Sequence, residues 1–128
     1  MFCLFSSFFD SIGNELFESF LDPSMNYSCA YWRNAQNLTE AQQHKMELIG
    51  RKLQLKPGMR VLELGCGFGA LAKFLAETYK VSVIACTISV EQGKLAQERC
   101  KGLPVDIQVI DYRELAKNLT EKFDRYDE

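Results

Sequence analysis

The stretch Arg60-Val61-Leu62-Glu63-Leu64-Gly65-Cys66-Gly67-Phe68-Gly69-Ala70-Leu71-Ala72 decides the fold. A short apolar run precedes three glycines at alternate positions, and residues 70–79 then have the pattern of a helix. This order of strand, tight turn and helix is typical of a nucleotide pocket, because glycines let the backbone approach a ligand and the helix start offers free N–H groups. A tight turn without a ligand accounts for the same glycines.

The spacing of the glycines, with Glu63 two positions before the first, separates this turn from other nucleotide-binding loops. It is not the G-x-G-x-x-G of dinucleotide enzymes, and it lacks the lysine of the phosphate-binding loop. The stretch resembles the first motif of the S-adenosylmethionine-dependent methyltransferases. In that family the glycine turn passes under the methionine part of the cofactor, and the acidic residue sets its amino end. The resemblance implies cofactor contacts at Glu63, Leu64, Gly65, Cys66, Gly67, Phe68, Gly69 and Ala70.

Length and charge restrict the classes of protein that the chain can form. Its 128 residues allow one domain. We divide it into residues 1–38, an N-terminal helical segment with a loop covering the cofactor, and residues 39–128, part of a Rossmann-like domain. A net charge of −2 gives no electrostatic reason to expect nucleic-acid binding. Five cysteines without a C-x-x-C pair indicate reduced, cytosolic thiols, and the single histidine, His44, has no partner at metal-ligand spacing, so we predict no metal site.

The N-terminal part of the chain has a helical pattern. Apolar residues recur at three- and four-residue steps from Phe2 to Leu21, which predicts one or two amphipathic helices ending near Asp22-Pro23. Such a stripe packs on the domain or touches lipid, and the absence of Lys or Arg before Arg33 favours packing. Residues 25–32 are rich in aromatic and small polar groups, a composition that fits either a ligand-site lining or an aromatic plug of the core.

Helices and strands alternate through the rest of the sequence. Thr39 and Gln42 form a capping-box pattern, which predicts a helix up to the turn Lys56-Pro57-Gly58. Two further apolar strands follow the glycine stretch, at residues 81–86 and 106–110. The alternation predicts an α/β fold with three parallel strands and helices on both faces, preceded by the N-terminal helices.

Polar residues follow the second and third strands, at the sheet edge where ligands bind in such folds. Ser89 and Gln92 predict a capped helix that ends near Cys100. Thr87 and Gln92 are placed to meet the ribose or the carboxylate of a cofactor, although many methyltransferases carry an Asp or Glu where this chain has Thr87. After the third strand, Asp111 is placed either to accept a hydrogen bond from an adenine amine or to cap a helix.

A larger set of motifs narrows the resemblance. They are Gly13-Asn14, Leu21-Asp22-Pro23, Met25-Asn26-Tyr27-Ser28-Cys29-Ala30-Tyr31-Trp32, Leu55-Lys56-Pro57-Gly58, the glycine stretch, Thr87-Ile88-Ser89 with Gln92, and Asp111-Tyr112-Arg113. Together they resemble the cyclopropane-fatty-acyl-phospholipid synthases, to which the mycolic acid cyclopropane synthases are related. That family moves a methyl group from S-adenosylmethionine to the cis double bond of a phospholipid acyl chain, and then removes a proton to close the ring. The resemblance therefore implies a Rossmann-like class I methyltransferase fold.

The same resemblance implies further site residues and partners. Cys29 corresponds to a residue that helps to bind a bicarbonate ion, which the family uses as its general base. The implied partners are unsaturated phospholipid acyl chains at the membrane surface, which a cytoplasmic enzyme would meet at the inner face. Additional cofactor contacts are implied at Tyr27, Ser28, Thr87, Ile88, Ser89, Gln92, Asp111, Tyr112 and Arg113.

The end of the sequence departs from the family. After Phe123-Asp124-Arg125 the family continues with an apolar fourth strand and a Glu-His pair, whereas here Tyr126-Asp127-Glu128 follows. We therefore expect a truncated synthase that retains the cofactor-binding half, with an open sheet edge beside residues 60–64 that invites association with another chain.

Several hypotheses about function stay open at this point. The chain is the cofactor half of an enzyme that a second chain completes, or a module that binds S-adenosylmethionine or S-adenosylhomocysteine without catalysis, or a remnant that does not fold. Among enzymes, the alternative is a methyltransferase with a small soluble acceptor.

Overall fold

The computed structural model describes residues 13–127, so the part of the predicted N-terminal helical stripe at residues 1–12 lies outside the described residues. The first helix of the described part ends at Phe20, just before Asp22-Pro23, as predicted. The elements run in the order α1 (Asn14–Phe20), α2 (Leu38–Lys52), β1 (Arg60–Leu64), α3 (Ala70–Tyr79), β2 (Ser82–Thr87), α4 (Val90–Arg99), β3 (Val105–Val109), α5 (Tyr112–Asn118) and β4 (Arg125–Asp127).

The strands form one parallel sheet in the order β3-β2-β1-β4. Val83 lies opposite Val61 on one side and opposite Val105 on the other, so β2 is paired along both edges. Parallel neighbours need a crossover, and α3 and α4 supply the crossovers from β1 to β2 and from β2 to β3. The predicted parallel α/β architecture is confirmed, and it brings the carboxyl ends of the strands to one edge of the sheet.

A fourth strand, β4, corrects the sequence-based prediction of three strands and of an open edge beside β1. Residues 61–63 of β1 pair in parallel with Arg125–Asp127. The approach to β4 is fixed because the Asp124 N–H donates to the Arg60 carbonyl over 2.9 Å and the Arg60 N–H donates to Asp124 Oδ2 over 2.8 Å. Backbone pairing of this kind needs no apolar side chains, which is why a polar tripeptide completes the edge.

The helix starts show which capping predictions hold. Helix α2 begins after Asn37, whose side-chain oxygen accepts from the Glu40 N–H over 2.9 Å, so the predicted cap by Thr39 is wrong. Helix α4 is capped as predicted, with Ser89 Oγ accepting from the Gln92 N–H over 3.2 Å. Each cap satisfies a backbone N–H that has no partner inside its helix.

Within residues 13–127, two apolar clusters hold the elements together. The larger one lies between the sheet and helices α2, α3 and α4, and it includes the fully buried Val61, Leu75 and Val81. The smaller one joins α1 to the glycine turn, because Phe17 packs on Phe68 with their ring centroids 5.3 Å apart. Within the described residues, α1 therefore packs on the domain through Phe17.

The outer side of α1 is different, since Leu16 and Phe20 are about half exposed (49% and 50%). No helix in residues 13–127 combines the length and the apolar composition that crossing a bilayer requires.

Candidate functional site

A cleft of about 570 Å³ opens at the carboxyl ends of the parallel strands. This volume lies within the usual range for small-molecule sites, roughly 300 to 1,000 Å³. The glycine turn forms its floor, the ends of β2 and β3 form one wall, and residues 25–28 with helix α2 form the other. The sequence-predicted residues that line it are Tyr27, Ser28, Glu63, Leu64, Gly65, Cys66, Gly67, Phe68, Ala70, Thr87, Ile88, Gln92 and Tyr112.

Two glycines of the turn do different work, although both have positive φ. A Cβ atom on Gly67 would meet only Gln92 Oε1, at 3.9 Å, so the space above Gly67 belongs to the cleft. A Cβ atom on Gly69 would lie 3.0 Å from the Ala96 side chain and 3.4 Å from Cys100 Sγ. Gly67 therefore keeps room for a ligand, whereas Gly69, which does not line the cleft, allows α3 to pack on α4.

Glu63 is the most unusual group in the cleft. Its side chain is buried, with 5% of its surface exposed, and its Oε2 atom has no hydrogen-bond partner among the described residues. Burial first, and then the negative charge of Asp127, raise the pKa of Glu63 to about 8. A buried carboxylate oxygen without a partner is costly, so it marks a place where a positively charged or proton-donating ligand group fits.

Opposite this carboxylate, helix α2 holds the loop that forms the outer wall. The Lys45 ammonium donates to Asn26 Oδ1 over 2.9 Å and to Ser28 Oγ over 2.7 Å. One turn earlier on the same helix face, the Gln42 amide donates to the Ser28 carbonyl over 3.0 Å. Gln42 thus ties down the loop instead of capping the helix, and the loop is fixed with Tyr27 and Ser28 facing the cleft.

Of the site residues predicted after β2, some line the cleft and one caps the helix beside it. Thr87 is buried, and its Oγ1 accepts from the Ser89 N–H over 3.3 Å. Ser89 caps α4 and does not line the cleft, whereas Gln92, on the first turn of that helix, does.

Most of the site residues predicted after β3 lie outside the cleft. Asp111 caps α5 by accepting from the Arg113 N–H over 2.8 Å, and the Arg113 guanidinium pairs with the same carboxylate over 2.6 Å. This partner holds the pKa of Asp111 at about 2. Neither residue lines the cleft, so of the three cofactor contacts predicted here, Asp111, Tyr112 and Arg113, the structure brings only Tyr112 to it.

The two cysteine thiols that line the cleft are not activated. Cys66 and Cys86 line the cleft, and burial raises the pKa of both thiols above the ordinary value, so they are neutral wall residues. Cys29, the implied bicarbonate ligand, is exposed next to Ser28 and does not line the cleft.

Sequence reasoning missed several cleft residues. The sequence contains a pattern that could have indicated Lys45, because this residue shares one face of α2 with Gln42, three positions away. Asp127 had none, since it reaches the cleft only through the pairing of β4. The residues that line the cleft without having been predicted as site residues are Met25, Asn26, Lys45, Ile49, Leu71, Cys86, Ile110 and Asp127.

The parallel sheet, the glycine turn and the cleft at the strand ends are the features of class I methyltransferase structures, and comparison supports this class. The mycolic acid cyclopropane synthase CmaA1, solved in complex with SAH and CTAB, superposes with a TM-score of 0.81 at 33% identity, covering 91% of this chain and 41% of that one. Coclaurine N-methyltransferase, bound to N-methylheliamine and SAH, superposes with a TM-score of 0.79 at 29% identity, covering 88% and 34%.

The sequence comparisons identify the family within that class. The model of the mycolic acid cyclopropane synthetase family matches residues 5–126. The cyclopropane-fatty-acyl-phospholipid synthase of Escherichia coli K12 is 58% identical over 114 residues, which are 89% of this chain and 29% of that protein. The chain therefore belongs to the mycolic acid cyclopropane synthetase family, and it spans about 29% of the length of this relative.

Proposed function

We propose that the chain binds S-adenosylmethionine in the cleft and provides the cofactor-binding part of a synthase of the cyclopropane-fatty-acyl-phospholipid type. The acceptor would be the cis double bond of an unsaturated phospholipid acyl chain. The single observation that carries this proposal is the buried Oε2 atom of Glu63, which has no hydrogen-bond partner among the described residues, beside a glycine turn that leaves room for a ligand. The amino group of the methionine part of the cofactor is a cation of the right chemistry to pair with it.

The other contacts follow from where the cleft residues lie. Gly65 and Gly67 let the backbone pass under the methionine part, and Thr87 with Gln92 stands at the β2 end, where the ribose hydroxyls would lie. Tyr112, with 56% of its surface exposed, offers a ring on which the adenine would pack. The bound cofactor would supply an electrophilic methyl group, while these residues orient it and exclude water from one side.

For the acceptor side of the reaction we propose an anion site and a lipid partner. The family resemblance assigns Cys29 to a bicarbonate site, and its neighbourhood suits an anion because Lys45 holds the adjacent Ser28. We place the protein in the cytoplasm, in contact with the inner face of the membrane through its lipid acceptor. Association with another polypeptide would use the outer edge of β4, where Tyr126 is 72% exposed.

Two alternative functions share the same cofactor site. Coclaurine N-methyltransferase has a similar fold at 29% identity, which favours a methyltransferase with a small soluble acceptor as the second candidate. A module that binds S-adenosylmethionine or S-adenosylhomocysteine without transferring a methyl group needs only the cleft described above.

The test is calorimetric titration of the 128-residue chain with S-adenosylhomocysteine, together with thermal melts with and without it. We expect saturable binding and a higher melting temperature, because a ligand that prefers the native state stabilises it. Glu63→Ala is the variant that should lose binding, and Glu91→Ala, an exposed acidic residue outside the cleft, is its matched control. Equal binding by wild type and Glu63→Ala would contradict the proposal.

A second arm separates the candidate acceptors. The chain is incubated with S-adenosylmethionine labelled in its methyl group and with vesicles of a phospholipid that carries one cis double bond per acyl chain. Vesicles of the saturated phospholipid are the control. Label in the lipid only when the double bond is present supports the synthase-type reaction, whereas cofactor binding without lipid labelling supports the binding module.

A further inference from the structure

The cleft is lined by one basic side chain, Lys45, and by two acidic ones, Glu63 and Asp127. Lys45 projects from α2 in one wall, and Glu63 stands in β1 directly before the glycine turn that forms the floor. Within residues 13–127 the ion pairs are Arg60–Glu121, Lys94–Glu91 and Arg113–Asp111, so Lys45 and Glu63 are not in direct contact. A lysine ammonium group and a carboxyl group are thus held apart across a space that a ligand can enter.

Hydrogen bonds to the loop of residues 26–28 hold Lys45 in this position. Its ammonium group has three N–H donors, and two of them go to Asn26 Oδ1 and Ser28 Oγ. The described residues offer no acceptor for the third. Lys45 is only half buried, and desolvation lowers its pKa from the ordinary value, so a ligand anion would restore part of the solvation that the charge has lost.

The geometry points to Lys45 as a binding residue for the α-carboxylate of the amino-acid end of the ligand, while Glu63 binds the α-ammonium group of the same end. The cleft thereby recognises a zwitterion, with Lys45 for its carboxylate and Glu63, next to Asp127, for its ammonium group. This inference rests on the proposed function, and it adds a rule of selectivity: an adenosyl thioether with a complete amino-acid end binds, and one without the carboxylate binds poorly.

A purely structural role for Lys45 makes a different prediction. If Lys45 only held residues 26–28 in place, its loss would weaken every ligand that touches Tyr27 or Ser28 to the same degree. Recognition of a carboxylate weakens only the ligands that carry one. The two roles are therefore separated by a ratio of affinities, which a general loosening of the loop leaves unchanged.

The experiment uses the 128-residue chain and two ligands, S-adenosylhomocysteine and its decarboxylated analogue. We expect wild type to bind the first at least about tenfold more tightly, as charge-assisted hydrogen bonds of this kind are worth that much or more. Lys45→Gln, which retains a hydrogen-bond donor for the loop, should lose about tenfold for S-adenosylhomocysteine and less than about threefold for the decarboxylated analogue. Lys52→Gln, an exposed lysine of the same helix, is the matched control.

Each outcome decides between the two roles. Equal losses for both ligands, or no loss for either, would overturn the inference while leaving the proposed function intact, because wild type still binds. If Lys45→Gln does not fold, the wild-type ratio decides, and equal affinity for the two ligands overturns the inference. Failure of wild type to bind S-adenosylhomocysteine at all would overturn the proposed function, and the inference with it.

Discussion

Glu63 and Asp127 lie opposite each other on the neighbouring parallel strands β1 and β4, and both line the cleft. Side chains at paired positions lie on the same face of a sheet, so two carboxyl groups share one end of the cleft. Burial and the Asp127 charge together raise the pKa of Glu63 to about 8. The folded, ligand-free chain therefore keeps a proton on Glu63 at neutral pH.

This proton makes the stability of the ligand-free chain depend on pH. Between the ordinary pKa of 4.5 and the folded-state value of about 8, the unfolded chain releases the proton that the folded chain retains. We therefore expect the free energy of unfolding to fall as the pH rises through this range, by up to about 1.4 kcal/mol per pH unit. Urea titrations from about pH 5 to about pH 8.5 measure the slope, and the Glu63→Gln variant should lack this part of it. Parallel curves for the two proteins would contradict the assignment.

Asp127→Asn tests the contribution of the second carboxyl group. Removal of its negative charge should lower the pKa of Glu63, because Asp127 is the second cause of the shift after burial. The pH range over which the chain loses stability should then end at a lower pH than in wild type. Asp106→Asn, an exposed residue of β3 outside the cleft, is the control, and the same urea titrations measure both variants. An unchanged range in Asp127→Asn would contradict the coupling.

Substitution of Gly67 can separate the loss of ligand space from the cost of backbone strain. Gly67→Val should abolish binding of S-adenosylhomocysteine, because the new side chain would occupy the space above the turn. Both Gly67 and Gly102 have positive φ, and neither has a protein atom closer than 3.9 Å to an added Cβ atom. Gly102→Val, which lies outside the cleft, should therefore carry a similar folding penalty, roughly 1 to 3 kcal/mol, and keep binding. Urea titration and calorimetry measure the two effects, and binding by Gly67→Val would count against the turn as the methionine site.

Asn37 and Thr39 give a matched pair for the start of α2. Asn37→Ala should destabilise the chain by about 1 kcal/mol, because the Glu40 N–H loses its acceptor. Thr39→Ala should change stability by less than about 0.5 kcal/mol, since Thr39 is exposed and does not cap the helix. The midpoints of urea unfolding compare the two variants. A larger loss of stability in Thr39→Ala than in Asn37→Ala would support the capping box predicted from the sequence instead.

These residues also show which features of the structure can be predicted from the sequence. The glycine turn and the Ser89 cap are predictable because residues within a few positions of each other determine them. Asn37 and Thr39 are both good caps two positions apart, so the sequence pattern does not decide between them, whereas the packing of Gln42 against the loop does. Because its side chain donates to the loop, Gln42 is not available for the capping box that Thr39 would need.

Longer-range features escaped prediction for a related reason. Strand β4 depends on backbone hydrogen bonds to a strand more than sixty positions earlier, and its side chains show no apolar pattern. Lys45 shares a helix face with Gln42, but no periodicity encodes its hydrogen bond to Asn26, nineteen positions away. The glycine turn and Glu63 were therefore predictable, while Lys45 and Asp127 were known as cleft residues only from the structure.

The same protonated carboxyl group predicts a proton released on ligand binding. With a pKa of about 8, Glu63 is roughly nine-tenths protonated at pH 7, and an ammonium group beside it favours the ionised form. Titration with S-adenosylhomocysteine at pH 7 in buffers of different ionisation enthalpy should therefore report release of up to about 0.9 proton per ligand. The released amount should decrease at about pH 9, where Glu63 is already ionised, and vanish in any residual binding by Glu63→Gln. An observed enthalpy that does not depend on the buffer at pH 7 would mean that the ligand ammonium does not pair with Glu63.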